Sequence, residues 1–105
     1  METQGTEILH PNIVRALITS ETRKRILCFL SNYPDGGTYL QEIVKRTMIS
    51  HSNVLGAIFG NDKNYSISSS LTSLGLVEVL KDGRFRYFKI TSEGLRSIEK
   101  FDLKA

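Results

Sequence analysis

Thr38–Phe59, TYLQEIVKRTMISHSNVLGAIF, is the stretch whose reading decides the fold. It holds two apolar repeats at helical spacing with a short polar break between them. Thr38 stands where an N-cap is needed and Gln41 is three residues on, so a first helix is predicted there with Leu40, Ile43 and Val44 turned inward. It runs to Arg46. Thr47-Met48-Ile49 form the turn, and Ser50 caps a second helix to Phe59 whose inner stripe is Val54, Ala57 and Ile58. The outer face is read as Ser52, Asn53, Gly56 and Gly60, short residues that let a base edge or phosphate approach, with His51 at the positive end of the helix. Two helices joined by so tight a turn make a helix-turn-helix, in which the second helix is the one that enters a major groove.

Length and charge confine the remainder. A chain of 105 residues is expected to form one domain with one modest core. Its net charge of +3 permits nucleic-acid binding, and the distribution is more informative than the total. Residues 1–12 carry two acids and no base, residues 13–60 six bases against three acids, residues 61–90 five against three, and residues 91–105 three of each. The basic excess therefore coincides with the helix-turn-helix and the stretch just after it. One cysteine, Cys28, allows no internal disulfide and fits a reducing compartment. It is read as a small apolar residue of the interior. No apolar run nears the ~20 residues of a membrane span, and no export signal is read, so a cytoplasmic location is expected.

Upstream, residues 1–12 are read as a tail, although Ile8 and Leu9 could lie against a neighbouring surface. Pro11 suits an early helical position, giving a short helix Asn12–Ile18 with Ile13, Val14 and Leu17 on one side. Ser20 caps a stronger helix reaching Asn32, with Ile26, Leu27 and Leu30 inward and Thr22, Arg23, Lys24 and Arg25 as a basic edge. Pro34-Asp35-Gly36-Gly37 ends it.

Downstream of Phe59, Gly60–Asn64 interrupts the chain. Tyr65–Leu74 then has Ile67, Leu71 and Leu74 aligned as in a helix, though its serines are weak helix formers. Gly75 is placed to stop it. Next comes a hairpin, Val77–Leu80 and Arg84–Ile90, turning at Asp82-Gly83 with Lys81, Arg84 and Arg86 at its tip. Phe88 and Ile90 share the parity of the two arginines, so that face passes from solvent at the tip to core at the base. A last helix, 91–103, carries the stripe Leu95, Ile98 and Phe101. Gly94 weakens it by roughly 1 kcal/mol against alanine, so packing must hold it.

The helix-turn-helix, with the earlier pattern Leu17, Ser20, Arg23, Ile26, Leu27, Leu30, resembles the winged-helix transcriptional regulators of archaea and bacteria. Ile90-Thr91-Ser92-Glu93-Gly94 after an aromatic strand resembles the exit from the wing in dimeric repressors. Gly56-Ala57, Gly60, Tyr65 and Ser70–Val77 resemble a group of mostly uncharacterised archaeal regulators. In the commonest winged helix the reading helix leads straight into a Gly-Leu-Val strand start, and the inserted turn departs from that. Met48 also stands where related turns often carry glycine.

The expected fold is α+β, mainly α with a small β-hairpin: a winged helix-turn-helix with a three-helix core, a wing and a C-terminal helix, occupying 13–105. The resemblance implies sequence-specific binding of double-stranded DNA by a transcription regulator, repressor-like and homodimeric. The residues expected to serve DNA are Thr38, Arg46, Ser50, His51, Ser52, Asn53, Gly56, Lys63, Lys81, Arg84 and Arg86. Leu95, Ile98 and Phe101 are expected to form the dimer interface, because little core follows Ile90 to cover them. The alternative from another class is a winged-helix protein–protein module in a transcription-related assembly. Single-strand binding would need exposed aromatics, for which Tyr65 and Phe85 are the candidates. With two histidines and one cysteine, neither a catalytic triad nor a zinc site is read, and no cofactor or metal is expected.

Overall fold

The computed structural model describes residues 9–101. Helix α1 (Pro11–Thr19) starts with proline in its first turn, where the missing N–H costs nothing, and the His10 side chain accepts from the Asn12 N–H at 3.1 Å. Ser20 ends α1 and caps α2 (Glu21–Leu30), its Oγ accepting from the Arg23 N–H at 3.1 Å. Ile26, Leu27 and Leu30 of α2 are fully buried, each stabilising the fold by roughly 1.5–3 kcal/mol. Leu9 joins this core from just before α1, whereas Ile8 lies outside the described residues.

Thr38 does not cap the next helix. With Tyr39 it forms a short strand, β1 (Thr38–Tyr39), and α3 (Leu40–Thr47) follows with Tyr39 in the N-cap position and no side-chain cap. The reason is tertiary: Thr38 and Tyr39 pair antiparallel with Phe88 and Tyr87, so sheet hydrogen bonds hold this backbone. The turn after α3 is made by Met48 in the left-handed conformation, φ 62°, with its N–H on the Val44 carbonyl at 3.0 Å. Helix α4 (His51–Phe59) begins at Ser50, whose Oγ accepts from the Asn53 N–H at 3.3 Å. Val54, Ala57 and Ile58 are fully buried, as their spacing predicts.

Residues 65–74 are not a helix. They form turns and bends whose N–H groups reach α4: Leu71 donates to the Ala57 carbonyl at 3.0 Å and Thr72 to the Ile58 carbonyl at 3.1 Å. Serines that compete for the backbone favour this, the Ser70 Oγ accepting from the Ser73 N–H at 3.2 Å. Leu71 and Leu76 still enter the core, both fully buried.

Strands β2 (Val77–Asp82) and β3 (Phe85–Ile90) complete a three-stranded antiparallel sheet in the order β1-β3-β2. Asp82 pairs with Phe85, so the two-residue loop is Gly83-Arg84, one residue later than expected. Gly83 alone of the pair has positive φ, 65°, as a glycine-first primed turn requires.

Helix α5 (Ser92–Phe101) closes the domain, and residues past Phe101 of the expected helix lie outside the described residues. Its stripe is not left uncovered: Ile98 is 1% exposed within its own chain, and Leu95 and Phe101 pack at the edge of the same core. Gly94 explains the close docking. A Cβ there would run into the Leu76 carbonyl oxygen and lie 2.6 Å from Ile90 Cγ1, so the glycine is the contact surface of α5. Ile98 therefore needs no second copy to cover it, while Leu95 and Phe101 keep part of their surface in solvent. Among the described residues five helices and this sheet make an α+β fold, and no helix there is long and apolar enough to cross a membrane.

Candidate nucleic-acid interface

The start of α4 and the tip of the hairpin border one groove of about 560 Å³, which has His51 on one wall and Arg84, Phe85 and Arg86 on the other, with Tyr39, Gln41 and Glu42 along its length. Two contacts tie the far end of α4 to strand β3. The Arg86 guanidinium carbon lies 5.5 Å from the centroid of the Phe59 ring, and Phe59 meets Phe88 edge-on at 6.0 Å. Phe88 is fully buried, so the hairpin is anchored at its base while its tip stays in solvent.

At that tip Lys81 and Arg86 face one another as cross-strand partners, and both are exposed, as is Arg84. Like charges directly opposite in a ladder destabilise the hairpin, so the arrangement gains when an anion lies across it. Among the described residues no carboxylate pairs with Lys81, Arg84 or Arg86. His51 and Ser52 are exposed in the first turn of α4, where free backbone N–H groups favour an anion.

The outer face of α4 is rotated from the one expected. Asn53 is half-buried and Gly56 is buried, the Tyr65 ring lying so close to Gly56 that any Cβ there would collide with it. The exposed line therefore runs through His51 and Ser52 toward half-buried Leu55 and Phe59.

Other expected site residues are dispersed. Thr38 is 8% exposed within β1, facing inward. Ser50 is occupied as the α4 cap. Arg46 is exposed at the end of α3 and paired with Glu42, Nε to Oε2 at 2.8 Å. It borders a separate groove with Lys24, Arg25 and Cys28, where Arg25 donates to the Thr47 carbonyl. Lys63 is exposed in the segment after α4, its N–H on Asn61 Oδ1 at 3.0 Å.

Two exposed aromatic residues border the groove: Phe85, which the sequence offers as a candidate for stacking, and Tyr39, which it does not. Tyr39 is 47% and Phe85 63% exposed, their rings edge-on at 6.3 Å, with Tyr87 5.6 Å from Tyr39. Phe85 was legible from its parity at the tip. Tyr39 was not, since only the pairing of β1 with β3 brings it there. Tyr65, the other aromatic candidate for stacking, is instead spent on Gly56.

Arg23 departs most from the sequence reading. It is not part of a basic edge but is 6% exposed, with Nη1 donating to the Ala16 carbonyl at 3.2 Å and the guanidinium over the Tyr65 ring at 5.8 Å. Burial pushes its pKa below the ordinary arginine value, against a smaller upward pull from Tyr65.

Residues 13–101 match the sequence profile of a family described as EarA-like. The chain is also 38% identical over 91 residues to Uncharacterized protein MJ0905 of Methanocaldococcus jannaschii, an alignment covering 87% of this chain and 82% of that protein. No solved structure matches it.

Proposed function

The chain belongs to the EarA-like family, and from that premise and the geometry of the groove we propose that it is a winged helix-turn-helix that binds double-stranded DNA and regulates transcription. In this reading α3 and α4 are the helix-turn-helix, α4 enters the major groove, and the β2–β3 hairpin is the wing. The observation that carries it is the shared groove: His51 at the positive end of α4 and the exposed arginines of the hairpin tip line one surface. A duplex laid on it would meet the short polar start of α4 with its bases and the tip with its backbone.

His51 and Ser52 are the residues best placed for base edges or the nearest phosphate, and Asn53 is partly withdrawn. Lys81, Arg84 and Arg86 supply backbone contacts. Thr38 and Gly56 serve the surface indirectly, Thr38 by pairing β1 to the hairpin and Gly56 by seating Tyr65. Arg46 and Lys63 reach flanking phosphates in this reading, Arg46 by giving up its exposed pair with Glu42, which is worth little in water.

Selection of bound duplexes from random DNA tests the proposal, and an enriched half-site is the expected result. Replacing Lys81, Arg84 and Arg86 by alanine should flatten the log K against log salt slope by about 0.9 per lost phosphate contact, roughly 2.7 in all. No enrichment, or identical slopes, would overturn it. The homodimer expected from the sequence stays part of this reading, with half-buried Leu95 and Phe101 of α5 as its candidate contacts and Ile98 buried in its own chain. Sedimentation at micromolar concentration gives the copy number, and with it whether the preferred site is an inverted repeat.

A second reading is favoured by one observation, the exposed Tyr39–Phe85 pair, because aromatics beside arginine are what protein interfaces concentrate. On it the same fold is a protein–protein module. Phe85→Ala that abolishes capture of a protein partner while leaving duplex affinity unchanged would support that reading.

A further inference from the structure

A second groove, of about 520 Å³, lies between the end of α1, the first turn of α2 and residues 64–69 and is lined by no hairpin residue. Arg23 lines it, and its charge is poorly met. One N–H goes to the Ala16 carbonyl, the Tyr65 ring covers one side, Nε has no hydrogen-bond partner, and among the described residues no carboxylate pairs with it. A cation 6% exposed without a counter-ion is costly, and a fold keeps one where something else balances it.

The rest of the groove is built for a negative group. The first turn of α2 presents its positive end there, with Ser20 already satisfying the Arg23 N–H and the N–H groups of Glu21 and Thr22 having no acceptor within the helix. Arg15 adds a second guanidinium at the rim, and Ser66 and Ser69 add hydroxyls from the facing segment. Glu21 is the acid on the rim, and it is engaged by Lys24 at 3.1 Å.

We propose that this groove binds a phosphate group, held by the Arg23 guanidinium and the first turn of α2, with Arg15 and the Ser66 and Ser69 hydroxyls at its mouth. The phosphate comes either from a free phosphate-bearing molecule or from the backbone of a bound duplex. Tyr65 links the site to the candidate reading helix: its ring lies 5.8 Å from the Arg23 guanidinium carbon and also packs on Gly56 of α4, so occupancy bears on how α4 is held. Only the duplex source rests on the DNA-binding reading.

The test titrates the full chain with inorganic phosphate against chloride at matched ionic strength, following melting temperature and the Arg23 Nε–H resonance. Ser66→Asp puts a carboxylate at the mouth without touching buried Arg23, and Arg23→Met removes the charge. A saturable rise in melting temperature with a shift of the Nε–H signal, weakened tenfold or more in Ser66→Asp, is the expected result for a free ligand. If inorganic phosphate leaves the parent unchanged, but Ser66→Asp and Arg23→Met each flatten the salt slope of duplex binding by about 0.9, the phosphate is the duplex's own. Equal stabilisation of parent and Ser66→Asp by phosphate overturns the proposal, as does a parent indifferent to phosphate whose duplex slope neither variant alters; Arg23 is then a purely structural staple of α1 to Tyr65. Should Arg23→Met fail to fold, Ser66→Asp alone decides between these outcomes. Failure of duplex binding as such would leave the phosphate titration standing on its own.

Discussion

Helix α4 and residues 61–76 pack on one another, yet one satisfies its backbone by a regular internal ladder and the other by irregular turns and bonds lent to its neighbour. In α4 the bonds are internal and the start is closed locally, Ser50 accepting from the Asn53 N–H. The following segment has little repeating structure of its own: it closes on itself through turn bonds such as Leu74 N–H to the Ser70 carbonyl, and it lends the N–H of Leu71 and both the N–H and hydroxyl of Thr72 to the Ala57 and Ile58 carbonyls of its neighbour. Those are carbonyls that the last turn of a helix cannot satisfy for itself. One end of α4 is thus capped by its own sequence neighbour and the other by residues about fourteen positions away. A segment without regular structure can therefore be as much a part of the core as the helix it closes.

The sharpest way to break that equivalence is to truncate one fully buried residue from each partner. Leu71→Ala and Ile58→Ala are each expected to lose about 2–5 kcal/mol in denaturant unfolding, since both lie at zero exposure. A loss under about 1 kcal/mol for Leu71→Ala would make the segment a mere surface loop.

Gly56→Ala probes the contact between the two regions. The added methyl meets the Tyr65 ring, and overpacking of this kind costs about 1–3 kcal/mol. Combining it with Tyr65→Ala in a double-mutant cycle should recover part of the loss, and strictly additive effects would refute the contact.

The two ends of α4 are compared by removing one hydroxyl from each. Ser50→Ala should cost about 1 kcal/mol as a lost N-cap. Thr72→Val should cost a similar amount, about 1 kcal/mol, through the 2.9 Å bond to the Ile58 carbonyl. Thermal unfolding of the pair shows whether a distant cap equals a local one.

The smallest expected effect is a gain. Met48 holds the left-handed turn at φ 62° with its side chain 85% exposed, so Met48→Gly relieves backbone strain and loses little packing. A rise of up to about 1 kcal/mol is expected. A clear loss would show that the methionine side chain contributes to the turn.

Most of the helical framework was legible because its signals are local. Pro11 and Ser20 mark helix starts, Ser50 with Val54, Ala57 and Ile58 specifies α4, and the alternation ending in Phe88 and Ile90 specifies β3. The exposed bases of the hairpin tip were legible for the same reason, since a two-residue turn leaves nothing nearby to bury them. The helix predicted for Tyr65–Leu74 was not found because periodicity records where apolar residues fall and not where backbone donors go. The expected outer face of α4 was displaced by one ring, Tyr65 on Gly56, arriving from another segment.

By itself, then, the sequence determined the two helices before the turn pair, the α3–turn–α4 pair and the basic hairpin, all of which rest on caps, turn residues and spacing within a few positions. Tertiary structure alone decided that Thr38 is a strand residue, that Arg23 turns inward, that α5 buries Ile98 in its own chain, and that His51 shares a groove with Arg84 and Arg86. Each of these depends on a partner brought close by chain closure, such as Phe88 for Thr38, Tyr65 for Arg23 and the Leu76 carbonyl for Gly94. A residue's environment at such a place is set by groups far away in the chain, and no local pattern encodes it.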